Sequence, residues 1–581
     1  MEKNQIILKG IAAAPGISIA PAYLFSKESE SVSAEKIENV DEALENLDAA
    51  LELSKKEMRK IFNLAVDKIG EKRAAIFEAQ MMILDDPVLT SNIKERIKNE
   101  KMSPEYIVED EISKYIRIMS ASNEPYMKER SHDIEDIKNR IIRNLKKKKW
   151  KSKISNDVIV VTTSLSPSDT VLLSRSNVKG YVTDFGGLTS HAAIVARSLN
   201  IPAVVGIHEA TNIIRNGDLL IIDGFHGKVI VNPTDILIKE YEEKIEKLSQ
   251  YDEELLKLKS LPAVTLDGKE IKLMANLDIS EEMSFIIHNC ADGIGLVRTE
   301  QLFEEYEVFP DEDQQFEVYN KIAESIYPKV VIIRAFDIGG DKVLPVDLHE
   351  PNPMLGWRGI RLLLDSPNLF KTQIRAVLRA SLHKNVWFML PMINSLSEVV
   401  AANQLIDECK KELTEEGIKY DDEIPVGIMI EVPSAAVLTS DFADVVDFIS
   451  IGTNDLIQYL LAVDRGNEIV SSQYQEFHPA VIRTIKHIID EAGKKSVPIG
   501  MCGEMAADPF ALPLLVGLGL ESLSISAAGI PLHKKILRSL NYSELKRLAD
   551  ECLNLKNEDE INNKLHKFFN EKISDQIKNL Y

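Results

Sequence analysis

From residue 262 to residue 581, short apolar runs alternate with amphipathic stretches in a regular order. Eight of the runs read as strands: 271–276, 293–298, 330–336, 386–391, 426–431, 447–452, 497–502 and 522–526. Eight strands separated by helical sequence in a stretch of this length predict a (β/α)8 barrel, whose functional groups gather at the C-terminal ends of the strands. The polar residues follow that rule. Arg298 closes the second run, Arg334 sits in the third ahead of Asp337, and Glu431 ends the fifth. Asn454 and Asp455 follow the sixth, and Cys502, Gly503 and Glu504 follow the seventh. Charges at those places have no evident structural use in a barrel wall.

The first half has a different pattern. Residues 6–24 read as short strands punctuated by Gly10, Pro15 and Gly16, too few to make a domain, so they must pair with something later. From about Ala34 to Leu145 the pattern is helical and charged. Ala43, Leu44, Leu47 and Leu51 keep helical spacing, Met81 to Leu84 is an apolar run, and Gly70, Pro87, Pro104 and Pro125 mark breaks. This reads as a helical bundle inserted into another domain, and His132 within it as part of a solvated helix face.

Strand-like sequence resumes at 158–161, 180–183, 203–205 and 219–224, with helices near 168–175 and 190–199, which with the N-terminal strands makes an α/β domain. Residues 234–260 predict one long linking helix that ends before Pro262 and can act as a hinge. The expected domains are therefore 1–33 with 146–233, the insertion 34–145, the linker 234–261 and the barrel 262–581.

Within the α/β domain, Gly186-Gly187-Leu188-Thr189-Ser190-His191 delivers a histidine from a glycine turn onto a helix. Thr189 or Ser190 can cap the orphan amides, and the partial positive charge of the helix start disfavours imidazolium. A neutral, nucleophilic ring whose neighbouring N–H groups can hold a phosphoryl group suits a phosphohistidine carrier.

Composition narrows the field. Among 581 residues, 91 acidic against 69 basic give a net charge of −22, which argues against a nucleic-acid or membrane-surface role. An anionic ligand must therefore be met by local arginines. The four cysteines are widely spaced with no CxxC pair, so neither a disulfide framework nor a zinc site is expected, and a reducing cytoplasm fits. The N-terminal residues lack a signal-peptide core, and no apolar run is long enough to cross a bilayer.

At the barrel mouth, Arg298, Arg334, Arg358 and Arg465 are candidates to converge on a small polyanion, because guanidinium forks match carboxylate and phosphate oxygens. Glu431 and Asp455 are two hard oxygen ligands, a number that suits Mg²⁺ completed by substrate oxygens and water. Cys502 is expected to be protonated near neutral pH and able to donate a proton.

The chain resembles enzyme I of the phosphoenolpyruvate-dependent sugar phosphotransferase system. The motifs that carry the resemblance are the Gly186–His191 turn, Asp337-Ile338-Gly339-Gly340-Asp341-Lys342, Gly356-Trp357-Arg358, Phe448 to Gln458, Ala462 to Arg465, and Met501-Cys502-Gly503-Glu504. The resemblance implies autophosphorylation of His191, on Nε2, by phosphoenolpyruvate with Mg²⁺. It also implies transfer to a histidine-containing phosphocarrier protein docked on the helical domain, and a cytoplasmic homodimer formed through the barrels. By position it makes Arg298, Arg334, Asn454, Asp455 and Arg465 contacts to phosphoenolpyruvate, Glu431 and Asp455 metal ligands, and Cys502 the proton donor. One departure is Leu188, where many members of that family carry arginine. Loss of that cation is expected to weaken stabilisation of the phosphohistidine or to alter carrier docking. Two rivals have less support. A dikinase or phosphoenolpyruvate-synthase type needs an ATP-binding domain for which the chain has no room, and a regulatory, nitrogen-type relay usually carries an extra N-terminal sensory domain.

Overall fold

The computed structural model describes residues 5–25, 32–69, 77, 80–120, 125–147, 157–165, 169, 173, 178–187, 193, 196–197, 201–278, 283–302, 309–339, 350, 352–465, 467 and 469–573. The chain divides into two compact units between Ser249 and Gln250.

The first unit holds an eight-stranded mixed sheet. Its strands are β1 (Ile6–Lys9), β2 (Ile11–Ala14), β3 (Ile17–Leu24), β4 (Val158–Thr162), β5 (Val178–Thr183), β6 (Ala203–Val205), β7 (Leu219–Asp223) and β8 (Lys228–Val231), in the order β1-β8-β7-β3-β4-β5-β6-β2. The N-terminal strands do pair with later ones. β3 lies antiparallel to β7 and parallel to β4, β1 pairs with β8, and β2 with β6. Strand β8 lies outside the runs expected from the sequence; it turns back on β7 and pairs with it antiparallel.

Alternation along each strand sends residues to opposite faces. Ile159 and Val161 join one core with Val182, Val204, Leu220 and Ile222, while Val160 joins another with Tyr181, Ala203 and Val205. Both faces are covered, which is why these strands read as unbroken apolar runs rather than alternating ones. Ala193 and Ala196 pack into the second core.

Between β3 and β4 run helices α1 (Val40–Ile69), α2 (Pro87–Glu100), α3 (Pro104–Ser120) and α4 (Pro125–Leu145). Pro87, Pro104 and Pro125 each stand first in a helix, so these breaks are starts: the proline's missing N–H costs nothing there and its φ is already helical. Asp86 completes the α2 start by accepting the Val88 amide at 2.7 Å. Leu47, Met58, Phe77, Ile97, Ile107 and Ile137 are among the residues that share one core. His132 lies on α4, and Gly70 lies outside the described residues.

Helix α5 (Asp235–Leu258) is the expected long helix, and the division between the units falls within it. In the first unit Tyr241 is buried against Ile221 and Ile230, and its hydroxyl donates to Asp223 at 3.4 Å. In the second unit the chain beyond α5 is held by the Lys534 ammonium, which donates to the Lys259 carbonyl at 2.6 Å.

The second unit contains a closed barrel of eight parallel strands: β9 (Lys272–Asp278), β10 (Ile294–Arg298), β11 (Val331–Arg334), β12 (Val386–Leu390), β13 (Val426–Ile430), β14 (Ile449–Ile451), β15 (Ile499–Met501) and β16 (Ser522–Ile525). All eight expected strands are present, and β16 pairs with β9 to close the ring. Leu296, Ile332, Met389, Met429, Phe448 and Cys502 form a cluster drawn from strands around the barrel. Arg298, Arg334 and Glu431 lie two residues beyond Leu296, Ile332 and Met429, so the period of two puts them on the same interior face, one layer nearer the C-terminal rim.

Among the described residues, no helix is long and apolar enough to cross a membrane. All four cysteines are free thiols, and only Cys290 is partly exposed. Burial pushes the Cys409 thiol up to about 12 and the Cys552 thiol up to about 11, and it raises that of Cys502 as well. Iodoacetamide at neutral pH is therefore expected to label Cys290 first in the folded protein and the other three only on unfolding. Peptide masses before and after denaturation check this; early label on Cys502 would contradict its burial.

Candidate active site

Each strand of the barrel ends at one rim, and the candidate residues are delivered there by strand ends or by the first turn of the helix that follows. Arg334, the last residue of β11, is nine-tenths buried. Its Nη2 donates to Glu300 at 2.8 Å and its Nη1 lies 3.4 Å from Asp337. Burial alone would lower the guanidinium's pKa, but Glu300, Asp337 and Glu431 outweigh it and hold the charge firmly. Its Nε is buried with no hydrogen-bond partner among the described residues.

Glu431 follows β13 and is buried, with its Oε1 accepting the Met392 amide at 2.6 Å. Met392 has φ of 57°, a left-handed conformation uncommon for a side chain of this size, and the turn it makes aims its N–H at the carboxylate. Burial first, then Asp455 and Asp337, push the Glu431 carboxyl up to about 8. Asp455 stands in the first turn of α6 (Thr453–Leu461), and its Oδ1 is buried with no hydrogen-bond partner among the described residues.

Glu431, Asp455 and Asp337 crowd together at the rim, faced by Arg334 and Arg358. Among the described residues no group of three or more His, Cys, Asp or Glu is arranged to hold a metal by itself. Two protein carboxylates, one with an unpartnered oxygen, nevertheless fit Mg²⁺, which keeps most of its shell for water and substrate oxygens.

This crowding has a pH signature. Between the ordinary 4.5 and about 8 the folded, metal-free chain keeps a proton on Glu431 that the unfolded chain has released. A state that binds more protons is favoured by acid, so this contribution to stability is expected to fall as pH rises through that window. Urea midpoints at about pH 5 and about pH 8 should show the decline, and Glu431→Gln should flatten it. A slope of equal size in the variant would remove Glu431 as its source.

Arg358 differs from the other arginines. It is almost wholly buried, and its Nη2 donates to Asp337 at 3.1 and 2.9 Å, its Nε to the same carboxylate at 3.2 Å. Its Nη2 also reaches Asp455 at 3.4 Å and its Nη1 the Tyr459 hydroxyl at 3.3 Å. Its fork meets Asp337, so much of its charge faces the site's own carboxylates.

Arg298 ends β10 and is the more open arginine, with Nη1 3.3 Å from Asp278. Asn454 and Arg465 meet at Glu504. The Asn454 amide donates to the Glu504 carboxylate at 3.0 Å, the Glu504 backbone N–H donates back to Asn454 Oδ1 at 2.8 Å, and Arg465 Nη1 donates to the same carboxylate at 3.0 Å. Gly503 allows this approach, since a Cβ there would stand 1.9 Å from Thr453 Oγ1.

Cys502 follows β15 and is buried, with its backbone N–H donating to the Ile451 carbonyl at 3.1 Å. Burial raises its pKa; the Ser450 hydroxyl, Arg334 and Arg298 act the other way, and Glu431 adds to the rise. The thiol therefore stays protonated at neutral pH and sits within electrostatic reach of two arginines and the carboxylate cluster. Glu300, Ser450 and Met392 had no role in the sequence reading. Asp337, Ser450 and Glu504 stand within the motifs that carry the resemblance, and that place is the signal each had.

His191, Leu188 and the Asp341-Lys342 pair lie outside the described residues, so no geometry is attached to them. The chain leading to His191 is described as far as Gly187, with Gly186 at φ of 126°. The carboxylate of Asp184, just before this turn, accepts the backbone N–H groups of Ala210 and Thr211.

Three family descriptions match the chain: PEP-utilising enzyme, N-terminal, over residues 9–130; its mobile domain over 154–227; and its PEP-binding domain over 252–542. A phosphoenolpyruvate-protein phosphotransferase of Staphylococcus carnosus is 42% identical over 558 residues, covering 95% of this chain and 97% of the relative. One of Geobacillus stearothermophilus is 43% identical over 560 residues, covering 95% and 96%. A solution structure of the Enzyme I (nEIt) protein is 41% identical and covers 42% of this chain and 99% of its own, with a TM-score of 0.37.

Proposed function

Because this chain belongs to the phosphoenolpyruvate-protein phosphotransferases, the enzymes I of the sugar phosphotransferase system, we propose that His191 is the phosphoryl acceptor and the barrel rim the site that loads it. Enzymes of this family take a phosphoryl group from phosphoenolpyruvate onto a histidine and pass it to the phosphocarrier protein HPr. The observation that carries the assignment of the rim is the gathering of Arg298, Arg334 and Glu431 about the buried thiol of Cys502, with Asp455 beside Glu431, at the C-terminal ends of barrel strands.

Phosphoenolpyruvate is a small polyanion, and Arg298, Arg334 and Arg465 supply planar donors for its phosphate and carboxylate oxygens. The spare Nε of Arg334 and the remaining amide hydrogen of Asn454 fix its orientation. Glu431 and Asp455 would hold Mg²⁺, which when bound screens the charge of the phosphate oxygens. We assign to Arg358 the holding of Asp337 and Asp455 in place rather than the gripping of substrate.

The reaction then balances without any further reagent. The neutral Nε2 of His191 attacks phosphorus, forming the N–P bond as the bond to the enol oxygen breaks. The electron pair left on the three-carbon fragment takes the proton of Cys502 at C3, giving pyruvate, and solvent restores the thiol. The domains we propose are 1–33 with 146–233 for the histidine, 34–145 for carrier docking, 234–261 as the linker, and 262–581 for phosphoenolpyruvate binding and dimerisation through the barrel.

Incubation with phosphoenolpyruvate labelled in the phosphoryl group, in Mg²⁺, followed by peptide mapping under alkaline conditions tests the reading. Acid-labile label is expected on the peptide that contains His191, and on no other. Label on a different peptide, or none, would overturn it.

A further inference from the structure

The thiol of Cys502 has a partner that the reaction as derived above does not use. Ser450, the middle residue of β14, is buried, and its hydroxyl donates to Cys502 Sγ at 3.3 Å. Among the described residues the sulfur's other hydrogen-bonding contact is the Ile451 carbonyl, to which the thiol donates at 3.9 Å, too long to fix its orientation. The backbone of Cys502 is held separately. Its carbonyl accepts from the Asn276 amide at 3.3 Å, and Asn276 Oδ1 accepts from the Ser524 hydroxyl at 2.7 Å. One set of contacts thus places the residue, and a single hydroxyl addresses the sulfur.

A small polar side chain facing the barrel interior needs a reason. The neighbouring interior positions are Phe448, Met429 and Met389, and an alanine would fill the space of Ser450 without leaving a hydroxyl to satisfy. The hydroxyl's accepting partner is a weak one while the thiol is neutral. It becomes a strong one once the sulfur carries negative charge, since hydrogen bonds to ionised acceptors are roughly twice as strong as neutral ones.

We propose that Ser450 is a positioning residue for the proton-transfer half of the reaction, orienting the Cys502 thiol and donating to the thiolate that remains once its proton has gone. In that step the S–H bond breaks, the C3–H bond of pyruvate forms from the enolate electron pair, and the negative charge comes to rest on Sγ. The Ser450 O–H meets that charge in a place from which bulk water is largely excluded. The proposal rests on Cys502 being the proton donor.

The test is a single-turnover experiment on the full-length protein with phosphoenolpyruvate and Mg²⁺. It follows phosphohistidine by alkaline quench and pyruvate by its reduction with lactate dehydrogenase. Ser450→Ala is expected to lower the rate of pyruvate formation relative to phosphohistidine formation about tenfold, the effect of one hydrogen bond to a charged atom. Ser450→Thr, which keeps the hydroxyl, is expected to restore the ratio. The double variant Ser450→Ala with Cys502→Ala is expected to be no slower than Cys502→Ala alone, because the serine acts only through the sulfur. If Cys502→Ala itself leaves pyruvate formation unchanged, the proton-donor reading fails and this inference falls with it. If Cys502→Ala slows pyruvate formation but Ser450→Ala leaves the ratio at its wild-type value, the inference alone is overturned. A Ser450→Ala variant that slows both steps equally, or a double variant slower than Cys502→Ala, would mark the serine as packing and also overturn it.

Discussion

Replacing His191 by alanine is expected to abolish transfer from phosphoenolpyruvate to HPr, by about a million-fold, the scale of loss seen when an enzyme's nucleophile is deleted. The carboxylates of the barrel rim are held by arginines or sit beside like charges, which makes them poor nucleophiles toward a phosphate. The binding of phosphoenolpyruvate should survive, because every residue assigned to it belongs to the barrel and none to the unit that carries the histidine. Calorimetry with phosphoenolpyruvate and Mg²⁺ should therefore give the same affinity for His191→Ala as for the parent, while the labelling assay gives nothing. Label retained at more than a trace in the variant would remove His191 from the mechanism. Loss of binding together with loss of label would show that the variant had damaged the protein rather than its nucleophile.

The second large effect concerns Asp455. Asparagine keeps its size and the oxygen that meets Arg358, yet removes the charge whose Oδ1 is buried without a hydrogen-bond partner among the described residues. Stabilisation of phosphate charge by a bound cation contributes several kcal/mol, so Asp455→Asn is expected to lower kcat/KM about a thousandfold. Stability should move little. The Arg358–Asp455 contact weakens, but Arg358 retains Asp337, and Glu431 is relieved of a like charge. A shift in Tm of no more than about 4 °C is expected for a chain of this size. Activity should also require more Mg²⁺ than in the parent. A variant that keeps kcat/KM within about tenfold of the parent at ordinary Mg²⁺ would show that Asp455 is not a metal ligand.

The spacing of apolar residues by itself determined the second unit. Runs buried on both faces, separated by helical stretches, admit few arrangements, and the closed barrel with β16 against β9 is the one adopted. The placement of arginines and acids at strand ends, and of a cysteine at the end of β15, is a local matter, set by residues a few positions apart. The start of a helix at Pro87, Pro104 and Pro125 was a local matter too, although the prolines were read as breaks rather than as first residues.

Which charge meets which was decided only by the tertiary structure. The fold brings Asp337, 21 positions away, and Asp455, 97 positions away, into contact with Arg358, pairings that no local pattern marks. Glu300 became the partner of Arg334, and Glu504 the partner of Asn454 and Arg465, because adjacent parallel strands end side by side although a crossover helix lies between them in sequence. Ser450 and Cys502 are 52 positions apart, and nothing local to either marks them as a pair. Periodicity reports which face a side chain takes. Closure of the barrel fixes the register between strands, and with it the identity of the neighbour across the rim, which is what sets the charge, the burial and the proton affinity of every group in this site.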